Sequence, residues 1–255
     1  MASHSLSRRS LLLQAGAAAA AAAATSPLRI GLLVFPRITQ LDMTGPYEVL
    51  SRLSNSEIHL LWKDRSQAVR SDSGLILMPT MTFAEAGQLD VIVVPGGPGV
   101  GALMEDEEVL AFLRAQSGKA RYMTSVCTGA LVLGAAGLLR GYNATTHWAS
   151  IDFLPALGAT PKTDRIVVDR NRITGGGVTA GIDFALRLAA ELRGEAEARM
   201  IQLQLEYNPA PPFQSGHPSV ANPETLAKAK EGNAGMVRAR TAIVERVKKK
   251  LDATR

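Results

Sequence analysis

The chain has 255 residues, 46% hydrophobic and 20% charged, with 23 glycines and a net charge of +5, the balance of a globular protein with material for a sizeable core. Its basic residues gather at Arg8-Arg9 and at residues 248–250, so the charge makes no case for nucleic acid. One cysteine excludes an internal disulfide and a thiolate metal cluster.

Residues 1–26 read as an export leader. Arg8-Arg9 precedes an alanine-dominated apolar run over residues 11–24, and Ala22-Ala23-Ala24 is a small-residue cleavage site. Twin arginine before a weakly hydrophobic segment is the pattern of the Tat route, so the expected location is exported, periplasmic. The run falls short of the ~20 apolar residues a membrane span needs, so no stable membrane insertion is expected after cleavage. Residues 27–255 read as one domain, with a helical extension from about residue 214.

The mature part opens on a continuous apolar run, residues 30–35, suited to a parallel strand covered on both faces. Asp42 follows, in a loop ahead of a helix whose first turn holds Pro46. A turn or cap role is the structural alternative for Asp42. Residues 58–62 read as a second strand and residues 71–78 as a hairpin or edge segment. Residues 91–94 are short, β-branched and followed by Pro95-Gly96-Gly97-Pro98-Gly99, the pattern of a central strand feeding a loop that can approach a ligand. That loop lacks the lysine ending of a P-loop and the register of a dinucleotide loop.

A helix is expected over residues 105–116. Residues 122–139 then run from a short strand through Cys127 into small apolar residues with Leu131, Ala135 and Leu138 at helical spacing. This sets Cys127 on a sharp strand-to-helix turn, a nucleophile elbow, where free helix N–H groups and the helix dipole favour a thiolate. The alternative is a buried structural cysteine. Ala144-Thr145-Thr146-His147-Trp148 leads into a helix through Leu157, with threonine as N-cap and His147 in the first turn or, if it approaches Cys127, a catalytic base. A hairpin around residues 169–171, a glycine triplet at 175–177, and helices over residues 182–192, 196–207 and 223–250 complete the chain. The last is expected to be interrupted at residues 232–235 and to pack over a partner subunit. Alternating strands and helices give an α/β doubly wound sandwich with a mostly parallel sheet, flavodoxin-like, in which Asp42, the Gly96-Gly97 loop and Cys127 all rise at one carboxyl edge.

Residues 28–213 resemble the DJ-1/PfpI superfamily of the class I glutamine amidotransferase-like fold. The resemblance is carried by residues 39–49 around Asp42, Val94-Pro95-Gly96-Gly97, residues 125–139, Ala144-Thr145-Thr146-His147-Trp148-Ala149 and residues 173–183. Several of these also resemble the ligand-binding half of AraC-type regulators, although the C-terminal segment looks too short for their helix-turn-helix pair. Residues 203–213 point to the isocyanide hydratase branch. The resemblance implies a homodimer acting on a small molecule, without cofactor or metal. It implies Cys127 as nucleophile, Asp42 as proton donor and acceptor beside the sulfur, and the amides of Gly97 and Thr128 as the polar pocket, with Gly96 in the same loop. On this reading Asp42 is protonated while the resting sulfur is a thiolate. An amidase, peptidase or glyoxalase-like enzyme using His147, and a non-catalytic redox or ligand sensor, are the alternatives.

Overall fold

The computed structural model describes residues 26–253, so the expected leader lies outside the described residues but for Ser26. β1 (Leu28–Leu33) carries the first apolar run, followed by α1 (Gln40–Leu50) and β2 (Ser56–Trp62). Short strands β3 (Val69–Arg70) and β4 (Ile76–Leu77) form a separate antiparallel hairpin, and β5 (Met81–Thr82) pairs with the end of β2. β6 (Val91–Val94), α2 (Val100–Leu103) and α3 (Glu107–Ser117) come next, with the Asp106 carboxylate capping α3 at the Val109 amide, 3.3 Å away. Beyond them lie β7 (Tyr122–Val126) and α4 (Gly129–Ala135). β8 (Asn143–Ala144) and β9 (Thr160–Pro161) bracket two 3-10 turns, Trp148–Phe153 and Pro155–Leu157. The hairpin of β10 (Ile166–Asp169) and β11 (Arg172–Gly175) leads into α5 (Ala180–Arg193), α6 (Glu195–Gln204) and α7 (Pro223–Ala253).

Seven strands form the main sheet in the order β10-β11-β7-β6-β1-β2-β5. Every pairing in it is parallel except β10 with β11. The four-residue strand β6 is buried throughout and β7 nearly so, as central strands with helices on both faces must be. α1 packs on α5 and α5 on α6, while α4 packs with α2, α3 and α7, giving two helical groups around the sheet. Because β1, β6, β7 and β11 are parallel neighbours, the segments after Leu33, Val94, Val126 and Gly175 emerge side by side. The expected doubly wound sandwich is this fold.

Four local expectations are corrected. Asp42 lies inside α1 rather than in a loop ahead of it, because Thr39, in extended conformation, is the N-cap. Pro46 sits well within the same helix, where it lacks the N–H that would bond the Asp42 carbonyl. The helix expected through Leu157 is two 3-10 turns, broken by Pro155 and ended by Gly158 at φ 85°. The threonine expected to cap it yields that position to His147, whose Nδ1 accepts from the Ala149 amide at 3.3 Å. α7 runs 31 residues without interruption. Two interior glycines each cost a helix about 1 kcal/mol, and the buried face of Arg240, Val244 and Val247 offsets that. That face packs on the 3-10 turns and α4 of its own chain.

Candidate active site

Cys127 occupies the single residue between the end of β7 and the Thr128 cap of α4. Its φ of 55° is left-handed, a conformation that costs a non-glycine residue of order 1–3 kcal/mol and is held only by its surroundings. Those surroundings are specific. The Cys127 amide donates to the carbonyls of Gly175 and Gly176 at 3.0 and 2.8 Å, and its own carbonyl accepts from the Thr146 hydroxyl at 2.8 Å. The side chain is 6% exposed.

Asp42 comes to the sulfur from the first turn of α1 and is fully buried. Its Oδ2 accepts the Gly96 amide at 3.1 Å, while among the described residues Oδ1 accepts no conventional hydrogen bond. The carboxyl and the Cys127 thiol face each other closely enough to shift each other's proton affinity. Burial pushes Asp42 up to about 7, against the opposing pull of the thiol and the Gly96 amide. Burial also pushes the Cys127 thiol well up, and the Asp42 charge adds to it, while the Thr128 amide and Arg240 pull it back. Burial thus acts against the charged form of both members of the pair, which share a proton between the sulfur and the carboxyl. The helix dipole, on which the expectation of a low-pKa thiol relied, comes from only seven residues.

The glycine loop is stitched to both partners. The Thr39 amide donates to the Gly96 carbonyl at 3.0 Å, tying the start of α1 to the loop. The Gly97 amide, expected to help form the polar pocket, donates to the Thr128 hydroxyl at 3.0 Å. At Gly96 a β-carbon would lie 2.6 Å from the Thr128 nitrogen and 2.7 Å from Asp42 Oδ2, so only glycine lets the loop, the elbow and the start of α1 close on one another. The Thr128 amide is the one directed at the sulfur.

His147 stands apart from this cluster. Its ring lies against Gly177, and burial, followed by the Arg240 charge, holds it below the usual imidazole range. Among the described residues no hydrogen bond joins it to Cys127. His147 and Thr146 instead help line a cavity of about 1170 Å³ with Trp148, Gly176, Val178 and Val237. Cys127 lies behind this wall, through its backbone bonds to Thr146 and Gly176.

Sequence reasoning missed Arg240. From the inner face of α7 it donates Nη1 to the Ser150 hydroxyl at 3.0 Å and Nη2 to the Gly97 carbonyl at 3.2 Å, and it is 3% exposed. The signal available was spacing: Arg240 shares a helical stripe with Val244 and Val247, whereas Arg238 and Arg246 do not.

The arrangement is a buried thiol with a carboxyl able to take and return a proton near neutral pH, one amide at the sulfur, and a roomy cavity alongside, a set of groups that can perform nucleophilic chemistry. Among the described residues no cluster of histidine, cysteine, aspartate and glutamate could hold a metal ion, and no helix is long and apolar enough to cross a membrane.

The model of the DJ-1/PfpI family matches residues 28–191. The chain is similar to the isonitrile hydratase of Pseudomonas putida, 57% identical over 225 residues that cover 88% of this chain and 98% of that protein. It is 33% identical over 177 residues to the HTH-type transcriptional regulator GbdR of Pseudomonas aeruginosa, covering 66% of this chain and 48% of the regulator. Among solved structures, a ThiJ/PfpI family protein from Pseudomonas syringae superposes with a TM-score of 0.84 at 42% identity, over 86% of this chain and 91% of that one.

Proposed function

The chain belongs to the DJ-1/PfpI family, and on that premise we propose that it is a cysteine-dependent isonitrile hydratase, converting an isocyanide and water into an N-substituted formamide on Cys127. The observation that carries this reading is the buried pairing of the Cys127 thiol with the Asp42 carboxyl, poised at about 7. The 57% identity to an isonitrile hydratase along nearly its whole length supports an enzyme of that kind.

The chemistry follows from the pair. An isocyanide ends in a carbon that accepts a proton and then a nucleophile. Asp42 as carboxylate takes the sulfhydryl proton and passes it to that carbon while the sulfur bonds to it, leaving a thioimidate. Water adds across the carbon–nitrogen double bond. Its oxygen goes to carbon, and one of its protons reaches nitrogen through Asp42. Collapse of the tetrahedral species forms the formamide carbonyl, breaks the carbon–sulfur bond and returns the hydroxyl proton to the sulfur by the same carboxyl. No net proton is gained or lost, which suits a site with a single proton-shuttling acid. The Thr128 amide stabilises the sulfur whenever it carries charge, and the cavity bounded by Thr146 and Gly176 gives room for the substituent on nitrogen.

An amidase or peptidase using His147 as its base would need that ring at the thiol, and its Nδ1 instead serves the Ala149 amide. The mature chain is further proposed to act as an exported homodimer. The test of the activity is direct. Purified mature protein mixed with an aryl isocyanide is expected to yield the formamide by chromatography, and Cys127→Ala is expected to yield none above the uncatalysed rate. Absence of product from the wild type across a set of alkyl and aryl isocyanides would discard the hydratase reading.

A further inference from the structure

Arg240 is a cation in an unusual position. It is nearly completely buried, and among the described residues no carboxylate forms an ion pair with it. Its guanidinium carries five N–H donors, and the two acceptors it meets, the Gly97 carbonyl and the Ser150 hydroxyl, are both neutral. An isolated buried charge is unfavourable unless an opposite charge is near or forms nearby. The groups around it that titrate are few: Cys127 from the elbow, Asp42 behind the sulfur, and His147, whose imidazolium the arginine opposes. Of these, the Cys127 sulfur and Arg240 interact directly through their charges.

We propose that Arg240 is a positioning residue of the cysteine centre: from the inner face of α7 it holds the Gly97 carbonyl and supplies the buried positive charge that accompanies a reacting thiolate, so that the docking of α7 sets the reactivity of Cys127. The two functions belong to one geometry. Nη2 pulls on the peptide whose own N–H donates to the Thr128 hydroxyl, so the arginine fixes the glycine loop and, through it, the residue whose amide meets the sulfur. Nη1 anchors the same side chain to the 3-10 turn that follows His147, closing the elbow between α7 and that turn. The long C-terminal helix is therefore part of the active site. This rests on the reading of Cys127 as the reacting atom, but its test does not require an isocyanide.

Because the chain has one cysteine, the rate of alkylation by iodoacetamide reports on Cys127 alone. Alkylation is followed across pH 6 to 10 for the wild type, Arg240→Gln, Arg240→Lys and Arg246→Gln, with circular dichroism to establish folding. Removing the positive charge destabilises the thiolate, so the glutamine variant is expected to alkylate about tenfold more slowly at pH 8, its profile displaced about one pH unit upward. The lysine variant keeps the charge and is expected to stay within about half a unit of the wild type. Arg246, paired with Glu105 at the surface, lies on the same helix as a control and its variant is expected to follow the wild type. A glutamine profile superimposed on that of the wild type overturns the proposal. If the glutamine variant does not fold, the lysine variant decides, since a displacement of a unit or more despite the retained charge overturns it as well. Loss of formamide formation with normal alkylation would sink the hydratase reading and leave the role of Arg240 standing.

Discussion

A carboxyl with no water around it prefers to keep its proton, and Asp42, fully buried and pushed up to about 7, weakens the fold wherever it is ionised. Its folded value exceeds the ordinary 3.8, so its favourable contribution is complete below about 4 and is lost as the pH rises through about 7. Asp42→Asn keeps an acceptor for the Gly96 amide and carries no charge. It is expected to be more stable than the wild type above pH 7, by up to about 4 kcal/mol for a displacement of that size, with the difference vanishing toward pH 4 in denaturant titrations. The same variant should lose about 10²- to 10⁴-fold in turnover. In the wild type, kcat/KM should fall below about pH 7 with the slope of one proton, because a second proton on the pair leaves no acceptor for the thiol. A variant neither more stable at pH 8 nor slower would remove Asp42 from the chemistry. How much of this was legible beforehand differs by residue. Cys127 and the glycine loop stood out because the turn chemistry is local: a short apolar strand, then small residues. The direction of the thiol's shift was not legible, since it depends on burial and on residues far apart in the chain, Asp42 and Arg240 among them. Arg240 was hidden by its setting, an arginine in a helix with Arg238 and Arg246 close by.

At the scale of elements, periodicity placed most strands and helices and misjudged their ends. The start of α1 was assigned from Pro46, a common first-turn residue, when the extended Thr39 is the cap and the proline is tolerated inside. The interruption expected in α7 was read from its glycines, yet what decides there is burial of a stripe seen only when the helix is docked. Two glycine substitutions separate these influences. At Gly129 a β-carbon would stand 1.9 Å from the Val94 carbonyl oxygen, backbone that cannot step aside without moving β6. Gly129→Ala is expected to cost at least about 3 kcal/mol, lowering Tm by roughly 6–12 °C. Gly232, in mid-helix, has nothing within 4 Å of its would-be β-carbon. Gly232→Ala is expected to raise stability by up to about 1 kcal/mol, and a melt showing the opposite order would mean that these contacts do not govern the two sites.

For the whole molecule, the fold class was readable from the alternation of strands and helices, and the convergence of Asp42, Gly96 and Cys127 followed from their places after neighbouring parallel strands. Assembly and location lie beyond what one chain's periodicity encodes. The homodimer is expected to appear in sedimentation at micromolar concentration, and the exported protein in the periplasmic fraction of cells carrying the full chain, with twin-lysine at Arg8-Arg9 keeping it inside. A monomer at every concentration, or an unaffected twin-lysine variant, would overturn the corresponding proposal. The bond from Arg240 to Gly97 spans 143 residues of chain, while the Gly96 bond to Asp42 spans 54. During synthesis the N-terminal part folds first, so the sheet, the elbow and the Cys127–Asp42 pair can assemble while α7 is still being made. The glycine loop gains its last hydrogen bond only when that helix emerges and docks. On the proposed role of Arg240, Cys127 would gain its full reactivity only near the end of translation, when nearly all of the protein exists.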